Sequence, residues 1–148
     1  MGIAVATSAD IPELVELLCV LFAQEADFTP DKPRQTRGVS MIVEDPAVGD
    51  ILVWRENGAI EAMVNLLWTV STAEGARVAI LEDMVVHPRA RDRGLGGRLL
   101  EGAIAHCRAA GCARITLLTD ADNAGAIRFY GRRGFTRSAM VPLRLTLR

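Results

Sequence analysis

The run VAILEDMVV at residues 78–86 constrains this chain more than any other stretch, because it is apolar except for Glu82 and Asp83. An apolar run of this length, rich in valine and isoleucine, reads as a strand buried on both faces. Such a strand lies inside a sheet rather than at its edge. HPRARDRGLGGRLLEG follows at once, with Gly94, Gly96 and Gly97 inside four positions. Leu95, Leu99, Leu100, Ala103, Ile104 and Cys107 then recur at helical spacing, and Gly111 supplies a C-terminal stop. Glycines weaken a helix, so three at its start call for a physical reason.

The rest of the chain builds around that strand, loop and helix. Residues 3–7 predict a short strand. In the segment that follows, Asp10 can cap a helix, Pro12 suits its first turn, and Glu13 sits at its positive end. Ile11, Leu14, Leu17, Leu18, Leu21 and Phe22 make its apolar stripe. A loop over 27–33 precedes a second helix over 34–44, which stops before Pro46. Strands over 49–55 and 59–70 flank Asn57-Gly58, the strongest short hairpin signal. After the glycine helix come a strand over 115–119, a short helix over 124–133 and two final strands over 135–137 and 141–147. The last of these alternates Val141, Leu143, Leu145 and Leu147. The predicted order is β-α-α-β-β-β-α-β-α-β-β: one α/β domain over 1–148, a mixed sheet with helices on both faces.

Several function classes fall away on composition. The 148 residues carry a formal net charge of -1, which does not suit a protein held by nucleic-acid phosphates. No apolar run reaches the roughly 20 residues of a membrane span, and the first residues lack a basic leader and apolar core. Cys19, Cys107 and Cys112 show no metal-ligand spacing, so no metal site and no disulfide framework is expected; a reducing cytoplasm is the simple location.

Strand, glycine loop and helix start together aim backbone N–H groups at an anion. The first amides of a helix lack internal partners, and the helix dipole adds positive charge. Glycine removes the Cβ that would hold a phosphate off, and Arg91 and Arg93 add charge beside it. A Walker loop requires a lysine that is absent here. A dinucleotide fingerprint counted from Gly94 would need a glycine where Leu99 stands. A purely structural glycine turn is the plain alternative.

A third pattern fits. Arg91-Asp92-Arg93-Gly94-Leu95-Gly96 matches [Q/R]-x-x-G-x-[G/A], the pyrophosphate motif of the GNAT acyltransferase superfamily. LEDMVVHP resembles that family's fourth strand, and Asn123 to Phe135, with Tyr130 seven residues after Asn123, resembles a second motif. Asp92 departs from the pattern: many members carry glycine there, and a carboxylate beside pyrophosphate repels it unless it turns outward.

The resemblance implies the GNAT fold, acetyl-CoA as cosubstrate and N-acetyl transfer by direct attack. It assigns the cosubstrate to backbone amides of Met84, Val85 and Val86, to Arg91, Arg93, Gly94, Leu95, Gly96 and Gly97, and to Asn123, which can also cap the helix after it. It makes Tyr130 the acid facing the departing sulfur. Glu82 is the candidate base, on the expectation that burial raises its pKa; a surface ion pair is the alternative. By strand alternation Asp83 points to the opposite face, as a structural partner of an arginine or a backbone amide. The acceptor is expected to be a small-molecule amine, with Glu25, Asp27 and Asp31 making its surroundings acidic. A protein amine, or a non-catalytic acyl-CoA-binding module, are the rival readings. Homodimers are common in the family. His106 is expected on an exposed helix position, and Trp68 could wall the acceptor site.

Overall fold

The computed structural model describes residues 2–25 and 28–148 and contains two compact units, residues 1–118 and 119–148. The first unit holds β1 (Gly2–Val5), α1 (Ile11–Gln24), α2 (Lys32–Val43), β2 (Gly49–Glu56), β3 (Ala59–Ser71), β4 (Ala76–Val86), α3 (Leu95–Ala109) and β5 (Ile115–Leu117). Its strands form one sheet in the order β1-β2-β3-β4-β5. The first four are antiparallel and β5 lies parallel to β4, so the sheet is mixed and the apolar β4 is internal as expected. Asn57 and Gly58 both take positive φ, 50° and 79°, as the tight β2–β3 hairpin requires.

Alternation divides the sheet residues between two apolar layers. Ile51, Val53, Ile60, Met63 and Val85 pack with Leu14, Val15, Leu17 and Leu18 of α1 and Val39 of α2. Leu95, Leu99, Leu100, Ala103 and Cys107 form the buried stripe of α3, which packs on β2, β3 and β4. Cys107 is thus a packing residue, and burial pushes its thiol up to about 12.

Two helix starts differ from expectation. Asp10 does not cap α1 with its side chain; it reaches back to the Thr7 amide at 2.8 Å, closing the 3-10 turn Ser8–Asp10 in a capping box. Asp31 caps α2 by accepting from the Arg34 amide at 3.1 Å, so the helix begins two residues earlier than read, at Lys32.

The second unit contains α4 (Ala124–Gly131), capped by Asn123 Oδ1 on the Ala126 amide at 3.0 Å, as predicted. The two final strands do not form: residues 135–148 have no strand pairing. Val141, Leu143, Leu145 and Leu147 are all largely exposed. Alternation supplies a face but not the hydrogen-bond partners a strand needs, and Pro142 removes one donor from the segment.

Candidate active site

The site begins where β4 loses a neighbour. β5 pairs only with Ala79–Leu81, so no described strand flanks residues 82–86 on that side. On the other side the β3–β4 register shifts: Asn65 pairs with Glu82 and Met63 with Val85, leaving Asp83 and Met84 opposite Val64 alone. This is a bulge, and Asp83 sits in it with φ of 54°. The strand therefore bends and opens just before Met84, Val85 and Val86. Those three residues line a cleft of about 400 Å³ with Leu21 and Gln24 of α1, Ala90, Arg91 and Asp92 of the loop, and Leu95 of α3.

The bulge also corrects the expectation for the two carboxylates. Alternation would send Asp83 away from Glu82. Instead its Oδ2 accepts from Asn65 Nδ2 at 2.6 Å, and Asn65 is the cross-strand partner of Glu82. Glu82 is exposed, so the burial expected of it belongs to Asp83. Burial pushes the Asp83 carboxyl up to about 6, and the nearby charges of Glu82 and Glu25 add to the rise; the Asn65 hydrogen bond opposes it. Among the described residues no arginine or backbone amide holds Asp83 as expected; its partner is the Asn65 amide side chain. Asn65 was not anticipated. Its signal was a lone amide inside the apolar run of β3, where an unpaired polar group is costly.

The loop after β4 is built to leave amides available. His87 closes the 3-10 turn Pro88–Ala90 by accepting from the Arg89 amide at 3.2 Å, a strand-end role as expected. Asp92 and Gly94 both take positive φ, 64° and 75°, and Gly94 is the N-cap of α3 without a side-chain cap. Arg98 N reaches the Gly94 carbonyl at 3.2 Å, so the amides of Leu95, Gly96 and Gly97 precede the first intrahelical bond. A concave row of N–H groups at a helix start suits a phosphate anion. Arg91 Nε donates to the Val86 carbonyl at 3.2 Å, tying the loop to the open strand. The Arg93 side chain is turned to Glu56 of β2, at 2.7 Å.

In the second unit Tyr130 is half-buried between Phe129 and Phe135, ring centroids 5.0 and 5.6 Å away. Burial pushes its hydroxyl up to about 12, so it stays protonated at neutral pH.

Other expected residues have different surroundings. His106 is half-buried, not exposed: it meets Asp50 at 2.7 Å and stacks on Trp68. Trp68 stacks on His106 of α3 and carries Arg77 over its ring. Trp54 packs under Arg98, with its indole N–H on Glu56. Asp31 is occupied as a helix cap, and Asp27 lies outside the described residues. Among the described residues no group of three metal-ligating side chains occurs, and no helix is long and apolar enough to cross a membrane.

Comparison with known proteins places the family. The family model for the acetyltransferase (GNAT) family matches residues 12–135. Aminoalkylphosphonate N-acetyltransferase of Salmonella typhimurium is 29% identical over 133 residues, 90% of this chain and 83% of that protein. The Bacillus subtilis protein described as uncharacterized N-acetyltransferase YhfO is 36% identical over 85 residues, 57% of each chain, so the match spans little more than half of that relative. Among solved structures, a Trypanosoma brucei acetyltransferase superposes with a TM-score of 0.75 at 25% identity, covering 98% of both chains.

Proposed function

The chain belongs to the acetyltransferase (GNAT) family, and on that premise we propose that it transfers the acetyl group of acetyl-CoA to a primary amine of a small molecule. The observation that carries this reading is the opened end of β4: residues 84–86 line the cleft with one flank unpaired, directly before the amide-rich start of α3. Backbone groups of Met84, Val85 and Val86 hold the pantetheine arm and the thioester carbonyl. Amides of Gly94, Leu95, Gly96 and Gly97 take the pyrophosphate, with Arg91 beside them. Asn123 already uses Oδ1 on α4, so any contact with the cosubstrate falls to its NH2 group.

Attack by the amine nitrogen forms the C–N bond and breaks the C–S bond. A carboxylate on β4 takes the nitrogen's proton, and Tyr130 donates a hydrogen bond to the sulfur as charge develops there. No cysteine is placed as a nucleophile: Cys107 is buried with a raised pKa, and Cys19 accepts from Gln35 at 3.3 Å. The three unpaired thiols fit a reducing, cytoplasmic setting.

The relative that acts on aminoalkylphosphonates supports a small acceptor. The test is thiol release from saturating acetyl-CoA with a panel of amines: an aminoalkylphosphonate, spermidine, free amino acids, an aminoglycoside, and a peptide with a free N-terminus and lysine. Turnover of a small amine is expected. Acetyl-CoA binding without thiol release for any amine makes the protein a binding module, and turnover of the peptide alone makes it a protein acetyltransferase.

A further inference from the structure

We propose that Asp83, positioned by Asn65, binds the amine of the substrate and takes its proton. This rests on the acetyl-transfer reading and names the group that performs its proton step. Three features of the structure support it.

The first is placement. Asp83 precedes Met84, the first cleft-lining residue of β4, and Glu25 follows Gln24, which lines the same cleft from α1. The bulge carries the Asp83 carboxylate to the side of Glu82 and within electrostatic reach of Glu25. The charged groups that act on Asp83 are therefore Glu82 on its own strand and Glu25 at the end of α1, both acidic. Three carboxylates gathered here favour a cation.

The second feature is orientation. Asn65 is only 3% exposed and is aimed into this cluster. Its Nδ2 holds Asp83, while its Oδ1 has no hydrogen-bond partner among the described residues. A buried acceptor without a donor is costly and needs an explanation. An amine N–H supplies the donor that Asn65 Oδ1 lacks among the described residues.

The third feature is proton affinity. An exposed carboxylate on a strand is a weak base near neutral pH, whereas a half-buried one beside other carboxylates is poised to accept. In the structure Asp83 is that half-buried carboxylate. The proton balance is simple. As the amine nitrogen bonds to the acetyl carbon and the C–S bond breaks, the proton the nitrogen sheds passes to Asp83, and the departing thiolate takes a proton from solvent. Asp83 then returns its proton to solvent.

The experiment follows the pH profile of kcat/KM for the fastest panel amine, by thiol release, alongside the acetyl-CoA Kd. The proteins are wild type, Asp83→Asn, Glu82→Gln and Asn65→Ala. Wild type should show an acidic limb near pH 6. Asp83→Asn, which tolerates the positive φ, should lose about 100-fold and the limb with it. Glu82→Gln should move the limb to lower pH, because the Glu82 charge raises the Asp83 pKa, and should lose less rate than Asp83→Asn. Asn65→Ala should move the limb to higher pH, because a hydrogen bond favouring the ionised form is gone. Acetyl-CoA should bind all four alike. The assignment is overturned if Asp83→Asn keeps its rate, if the loss follows Glu82→Gln instead, or if the limb stays put in Asn65→Ala. Should Asp83→Asn not fold, the Asn65→Ala and Glu82→Gln limbs decide. A wild type that turns over no amine overturns the acetyl-transfer reading and this assignment together; a working wild type with an indifferent Asp83 overturns only the latter.

Discussion

Arg93 and Glu56 are joined by two hydrogen bonds from one guanidinium nitrogen, 3.0 and 2.7 Å long. The Trp54 indole N–H also donates to Glu56, and together these contacts hold its carboxyl below the usual range. The loop that opens α3 is thereby pinned to the end of β2, with Arg93 engaged on the protein itself. In the proposed pyrophosphate site, binding should then rest on backbone amides more than on this arginine. Gly96→Val should weaken acetyl-CoA binding by roughly 1–3 kcal/mol, by displacing the phosphate and leaving amides unpaired. Arg93→Ala should cost less than about 1 kcal/mol, as for an exposed charge. Calorimetric Kd values on the folded variants check the order; equal losses would show that Arg93 leaves Glu56 for the ligand.

Asp92 holds a left-handed backbone at φ 64°, the conformation for which glycine is suited. Its carboxylate stands on the loop proposed to hold pyrophosphate. Asp92→Gly removes both the strain and the charge. It should tighten acetyl-CoA binding severalfold and leave thermal stability within about 1 kcal/mol, since glycine's gain in the folded state is offset by its freer unfolded chain. Weaker binding in this variant would mean that the Asp92 side chain contributes to the cosubstrate site.

Tyr130 is protonated up to about pH 12 because burial disfavours its charge. As an acid it is weaker than a thiol, so in the proposed reaction its contribution would be a hydrogen bond to developing charge and not a completed transfer ahead of bond breaking. Tyr130→Phe keeps the ring between Phe129 and Phe135. A drop in kcat of roughly 100-fold with an unchanged acetyl-CoA Kd is expected. A kcat within about twofold of wild type would make Tyr130 a packing residue; a parallel loss of affinity would make it a cosubstrate contact.

Asp10 should contribute to stability on the acid side. Burial opposes its charge, but the Thr7 amide at 2.8 Å and Arg55 at 2.9 Å prevail, and its pKa lies below the ordinary 3.8. A depressed folded-state pKa contributes stability that is complete above the unfolded value and fades as pH falls through the folded one. The contribution should therefore be intact at pH 5 and above and be lost below about pH 4. Asp10→Asn should cost about 1–3 kcal/mol at neutral pH, the range for hydrogen bonds to a charged group. Thermal melts from pH 7 down to pH 3 should bring the two proteins together; parallel curves would remove Asp10 as the cause.

The sequence carried most of the fold because its signals were local. Asn57-Gly58 marked a hairpin whose two residues both adopt the backbone that turn needs. Asn123 read as a helix cap and is one. The apolar 78–86 run implied an internal strand, and β4 has neighbours on both sides along Ala79–Leu81. The pyrophosphate motif likewise falls on a loop where Asp92 and Gly94 turn left-handed into α3.

What failed depended on partners distant in sequence. The alternating segment from Val141 to Leu147 looks like a strand by itself, yet strand formation is decided by a neighbour's hydrogen bonds, and it has none here. His106 looked exposed because Asp50 and Trp68 are dozens of residues away.

Residue identity and spacing alone thus determined the strand–loop–helix unit and the presence of a carboxylate pair in β4, and the motifs there carried the resemblance to the family. Only the tertiary structure decided which carboxylate is buried. Alternation holds while each residue has one partner across the strand. At Asp83 two residues face one, the backbone turns left-handed, and the side chain swings to Asn65. A bulge is a property of two paired strands, so a single strand's sequence does not contain it.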